Sequence, residues 1–172
     1  MKRILIALSL CFISVVSLNA QKIGYINTEL ILNEIPEYQA AQQQLNDLAD
    51  KYKAAIETEV GRIDVLYNSY QSQKSSMSSS QRATMENEII SKEKVVKEKQ
   101  KIYFGEDGLM AKKSEELISP VQKRVDAAIA AVAAQDDYSI IIDLAATSGV
   151  VYKNPKCDLT QQVINILKTT IK

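Results

Sequence analysis

The chain has 172 residues, with 21 basic and 21 acidic side chains, two cysteines, and neither histidine nor tryptophan. This balance argues against nucleic acid as a partner, because such a partner requires a basic surface. Without histidine, and with Cys157 alone after the first 20 residues, the usual metal sites and nucleophile–base pairs lack their parts. We therefore expect no metal and no cofactor, and an exported enzyme is a remote alternative.

Residues 1–20 have the pattern of a cleavable signal peptide. A basic start, residues 1–3, is followed by an apolar run over residues 4–18 and by Ala20, a plausible cleavage site. The apolar run is shorter than the roughly 20 residues that cross a bilayer, which makes a retained membrane anchor the weaker alternative. Lipid attachment at Cys11 is also a less favoured alternative, because a lipoprotein signal usually has a small residue where Leu10 stands. The pattern predicts export.

The next segment predicts a short strand and a short helix. Residues 22–27 alternate apolar with polar or small side chains, as a half-buried strand does. Asn27 or Thr28 can cap the helix that follows. Pro36 interrupts this helix, and a much longer helix is expected from about Glu37.

The long stretch from 41 to 108 predicts an antiparallel helical hairpin. Apolar residues recur every three or four positions on the outgoing helix and about every seven on the return, which is the spacing of a coiled-coil seam. The two halves mirror each other about Met77 and Ser78, so that Tyr52 pairs with Tyr103. Serine favours turns and caps, and the tip is expected at residues 75–80. Gly61 interrupts the outgoing helix, either as a flexible point or, as we slightly favour, at a close contact with the return helix.

After the arm, Gly105 and Gly108 predict a break. An amphipathic helix is expected from about Pro120 to Gln135. Residues 138–143 and 150–153 predict two strands of an antiparallel hairpin around a turn at residues 147–149. A last helix follows Asp158, whose spacing to Gln161 resembles a capping box.

These elements predict an α+β chain with a small β-strand base and a long coiled-coil arm. The base, residues 21–40 and 109–172, is small for an independent core and has no disulfide, so we expect oligomerisation through its strands. An ordinary helical hairpin within a bundle is the alternative, but no third long helix is available to pack along the arm. The residues that we expect in the oligomerisation body are Ile23, Tyr25, Ile140, Ile142, Val150 and Tyr152.

The ordered set of elements resembles the Skp/OmpH family of periplasmic chaperones. The resemblance is carried by residues 22–27, the long arm, residues 118–125 and 138–143, Val150-Val151-Tyr152 and residues 158–160. It implies a periplasmic homotrimer, with a β-strand body and three arms around a cavity that holds unfolded outer-membrane β-barrel proteins without ATP. The best-known members are strongly basic, whereas this chain is near neutral. We therefore carry over no lipopolysaccharide site, and contact with a membrane stays open.

The candidate client-contact residues lie on the arm, where adaptable aromatic and methionine side chains suit a promiscuous surface. They are Tyr52, Tyr67, Tyr70, Met77, Met85 and Tyr103. The alternative for each is that it packs in the seam of the hairpin. The alternative function for the whole chain is a structural coiled-coil tether or spacer of the envelope, without chaperone activity.

Overall fold

The computed structural model describes residues 21–170, and the predicted signal peptide lies outside this range. In chain order the elements are β1 (Lys22–Ile26), α1 (Thr28–Asn33), α2 (Pro36–Gln73), α3 (Ser79–Phe104), α4 (Leu109–Gln135), β2 (Tyr138–Asp143), a 3-10 turn (Pro155–Cys157) and α5 (Thr160–Thr170). The predicted class is confirmed, since a long helical hairpin joins a small base that contains strands.

The arm is formed by α2 and α3. Pro36 is tolerated because it stands in the first turn of α2, where its missing N–H would have no helical partner. α2 has 38 residues, so the arm extends about 57 Å at 1.5 Å per residue. At the tip, Ser78 accepts a bond from the Gln81 backbone N–H, and the Gln81 side chain accepts one from the Ser78 N–H, which makes a capping box. The predicted tip is therefore where the chain reverses.

The pairing of the two arm helices is confirmed by an aromatic contact. The rings of Tyr52 and Tyr103 are stacked at 4.2 Å with an angle of 5° between their planes. The hairpin has a small core of its own, formed by Ile56, Ile63, Tyr70, Ile89 and Val96. Gly61 makes no close contact with the return helix, because a Cβ placed there would meet no atom within 4 Å. The close contact that we favoured from the sequence is therefore wrong.

The predicted break after the arm is present, at Gly105 and Gly108. A side chain at Gly108 would lie 2.9 Å from backbone atoms of Gly105 and Ile102, so this close approach requires glycine. The expected helix start at Pro120 is wrong, since α4 begins at Leu109 and continues through the proline. One lost backbone bond is outweighed here by a buried stripe along the same helix. The stripe consists of Val121, Val125, Ala128 and Val132.

The base contains a two-stranded sheet in which β1 and β2 run parallel, with Ile23 opposite Ile140 and Tyr25 opposite Ile142. The predicted antiparallel hairpin is wrong, and residues 150–153 form no strand within the described chain. The physical reason is that the chain beyond Gly149, whose φ is +103°, turns towards β1. There the Lys153 ammonium lies over the Tyr25 ring, 5.1 Å from its centroid.

The base core lies between β1, α1, α4 and α5. Its fully or almost fully buried members include Ile26, Ile31, Ile35, Val125, Val132, Leu159 and Val163. The predicted capping box at the last helix is not formed. Asp158 instead accepts a bond from the Thr160 backbone N–H at 3.0 Å, while the Gln161 side chain bonds to Asn165.

Candidate functional site

Most of the predicted client-contact residues are part of the arm seam. Tyr70 is only 3% exposed and belongs to the buried cluster of the arm. Met77, Met85 and Tyr103 are half-buried against that same cluster, and Tyr52 is occupied by its stack on Tyr103. The contacts of these five residues are those of side chains packed in the seam of the hairpin.

Tyr67 differs from the other candidates, because 48% of its surface is exposed. Tyr70, one turn further along, is held in place by a hydrogen bond from its hydroxyl group. Its hydroxyl donates a hydrogen bond to the Glu86 carboxylate, and the Lys74 ammonium lies 5.3 Å from its ring centroid. The bond to Glu86, with burial, raises the pKa of Tyr70 above its ordinary value. Tyr67 is thus available to a partner, whereas Tyr70 anchors the tip of the hairpin.

The arm also exposes aliphatic and aromatic side chains that were not among the client-contact residues predicted from the sequence. They are Val60, Val65, Ile90, Val95, Ile102 and Phe104, with exposures between 39% and 70%. Val95 and Ile102 repeat at seven residues beside the seam, which was the signal that could have identified them. Single exposed apolar residues are common on protein surfaces, so these side chains point to a binding surface only where several lie together on one side of the arm.

One side of the hairpin is closed by charged side chains. Glu59 accepts from the Lys99 ammonium across the two helices at 2.9 Å, and Arg62 lies 3.3 Å from the same carboxylate. The hydrogen bond from Lys99 lowers the pKa of Glu59. We call this side the paired flank; Val95 and Ile102 lie on it, each one position before a seam residue.

No ion pair among residues 21–170 bridges the opposite side of the hairpin, and we call that side the open flank. It contains a groove of about 420 Å³ between the helices, lined by Lys53, Ile56, Glu57, Gln100 and Phe104. Phe104 meets the ring of Tyr52 edge-on at 6.2 Å and stays 41% exposed. The open flank therefore offers apolar and aromatic surface at the point where the paired flank offers ion pairs.

In the base, several of the predicted oligomerisation residues share one surface. Ile23, Tyr25, Ile140 and Ile142 alternate with the residues that face the core, so they lie on the outer face of the sheet. Ile23 and Ile140 are 47% and 48% exposed there. Tyr25 is buried beneath Lys153, and burial with the nearby Asp158 carboxylate raises its pKa.

The two remaining predicted oligomerisation residues, Val150 and Tyr152, lie outside any strand. They are 42% and 81% exposed, and Val151 between them is fully exposed. An apolar, β-prone segment in this state has no covering partner within the described residues.

A half-buried carboxylate joins the sheet to the first helix. Asp143, at the end of β2, accepts bonds from the Thr28 backbone N–H at 3.1 Å and from the Thr28 hydroxyl at 2.6 Å. It also accepts the Ala145 N–H at 3.0 Å. Partial burial alone would raise the pKa of Asp143, but these bonds outweigh it and the pKa is lowered. This cluster secures the root from which the arm projects.

With this geometry established, the chain can be compared with known proteins. Residues 22–167 match the model of the family described as outer membrane protein (OmpH-like). The chain belongs to the OmpH-like family. Over 162 residues it is 25% identical to the chaperone protein Skp of Yersinia enterocolitica, covering 94% of this chain and 95% of that one. An outer membrane chaperone (OmpH-like) of Caulobacter crescentus has the same fold, with a TM-score of 0.65 at 16% identity, over 88% of this chain and 86% of that one.

Membership of the OmpH-like family supports a chaperone role, and the family is a non-enzymatic one. Among residues 21–170, no helix combines the length and the apolar character needed to cross a membrane. The same residues contain no cluster of three or more side chains suited to binding a metal ion.

Proposed function

We propose that this OmpH-like protein is a periplasmic holdase, which binds unfolded outer-membrane β-barrel proteins without ATP and prevents their aggregation. The observation that carries the proposal is the exposed apolar surface of an arm about 57 Å long. Unfolded barrel strands expose alternating apolar side chains and unpaired backbone edges, which aggregate unless they are covered.

The clients would be held in a cavity between the arms of a homotrimer. The sheet packs against helices on one face but carries exposed isoleucines on its outer face, and association of copies would cover them. Several arms around one client supply many weak contacts at high effective concentration. Each contact remains individually reversible, so the client can leave without energy from a nucleotide.

The experiment is to dilute a urea-unfolded outer-membrane barrel protein into buffer that contains the purified chain, without nucleotide, and to follow turbidity. Suppression that saturates near one client per three chains supports the trimeric holdase. A folded oligomer that fails to suppress turbidity at large excess would refute it. That result would favour the coiled-coil tether, which needs no surface for unfolded proteins.

A further inference from the structure

We propose that the client-binding surface of each arm is the open flank alone, and that its ligand is an extended apolar segment of an unfolded β-barrel protein. This inference rests on the proposed holdase function and specifies the surface that performs it. The open flank consists of Val60 and Tyr67 on α2, Ile90 and Phe104 on α3, and the groove beside Phe104.

Helix geometry places these four side chains on one side of the hairpin. On α2, Val60 and Tyr67 lie four residues after the seam positions 56 and 63 and are rotated from them by about 40°. On α3, Ile90 and Phe104 each follow a seam residue by one position and are rotated by about 100° in the same sense. Because the helices are antiparallel, rotation in the same sense along each chain leads to the same flank.

Observed contacts support this assignment. The groove is lined jointly by Lys53 and Glu57 from α2, each one position after a seam residue, and by Phe104 from α3. On the other side, Arg62 precedes its seam residue and lies against the bridge between Glu59 and Lys99. The two flanks therefore differ, because one contains the groove beside Phe104 and the other is crossed by the Glu59–Lys99 ion pair.

The length of the open flank and the charge of its groove fit an extended neutral chain. Because Tyr52 pairs with Tyr103, Phe104 lies close to the level of Tyr52 along the hairpin axis. Tyr67 and Ile90 lie at almost the same level as each other. The apolar positions thus span fifteen residues of α2, or about 22 Å. That is the length of about seven residues of extended strand. Lys53 and Glu57 at the groove have opposite charges, so the groove has no net charge to select a charged ligand.

The paired flank supplies a matched control. Tyr67 and Ile90 are 48% and 61% exposed, and Val95 and Ile102 are 46% and 55% exposed. The doubly substituted chains Tyr67→Ser/Ile90→Ser and Val95→Ser/Ile102→Ser therefore each replace two large side chains of similar fractional exposure. We expect the open-flank variant to require about fivefold more protein, or more, for half-suppression of client turbidity. The paired-flank variant should behave like the unsubstituted protein, and both should keep its circular dichroism spectrum.

A second measurement does not depend on turbidity. A photoreactive benzoylphenylalanine at position 67 should cross-link to the unfolded client, whereas the same group at position 102 should give a much lower yield. Equal yields, an equal effect of the two double variants, or cross-links from position 67 to a second copy of the chain would each overturn the inference. Failure of the unsubstituted protein to suppress turbidity would instead refute the holdase function, and the cross-linking yields would still compare the flanks.

Discussion

Replacing Gly61 by alanine should stabilise the arm. Glycine in a helix interior is less favourable than alanine by about 0.5–1 kcal/mol, because it loses more backbone freedom on folding. At Gly61 nothing offsets this gain, since an added Cβ meets no atom within 4 Å. One kcal/mol corresponds to about a fivefold decrease in the population of locally opened helix. The substitution should therefore slow amide hydrogen exchange around residue 61 by up to about fivefold.

The assay is native-state hydrogen exchange, read residue by residue along α2, together with urea unfolding of the whole chain. Gly24→Ala is the matched control with the opposite expectation. A Cβ at Gly24 would collide with the Leu159 side chain and lie 3.0 Å from the Tyr138 ring, so this variant should be destabilised in the base. Faster exchange around residue 61 in Gly61→Ala would refute the reasoning, because it would mean that the position is constrained by a contact absent from this structure.

Three further substitutions test the packing and the charge of the chain. Ile31→Ala removes a side chain with 0% exposure and should lower the free energy of unfolding by about 3 kcal/mol, measured by urea titration. Tyr103→Ala removes the 4.2 Å stack on Tyr52 and should lower the thermal midpoint of the arm, whereas Tyr103→Phe should not. Asp143→Asn should cost about 1 kcal/mol at neutral pH. Because the pKa of Asp143 is lowered in the folded protein, its carboxylate stabilises the fold above the ordinary pKa of 3.8, and this stabilisation is lost as the pH falls below that value. The free energy of unfolding of Asp143→Asn should therefore decrease less in acid than that of the unsubstituted protein.

The arm could be predicted from the sequence because local rules determine it. Apolar spacing and the serines around Ser78 act within a few residues, and the hairpin and its tip lie where they predict. Pro36 was expected to interrupt the helices, and it stands in the first turn of α2. The base was predicted less well, because its pairing depends on distant residues. β1 and β2 are separated by the entire arm, and no local signal distinguishes their parallel register from a local hairpin. The strand propensity of residues 150–153 was genuine, but in the described chain Lys153 is held over Tyr25 instead.

The candidate site was also predicted only in part, and the reason is physical. Hydrophobic periodicity identifies the residues that two helices bury together, and for that reason it selected Tyr70 and Tyr103, which are occupied in the seam. A surface that binds a partner must instead lie beside the seam, where a side chain is supported by the hairpin but not covered by it. Ile90 and Phe104 occupy that place because each directly follows a seam residue, and no bridging ion pair covers them among the described contacts. In this hairpin the exposed apolar residues of α3 on the open flank lie one position after the seam, whereas the charges that close the opposite flank, Glu59 and Lys99, each lie three positions after a seam residue.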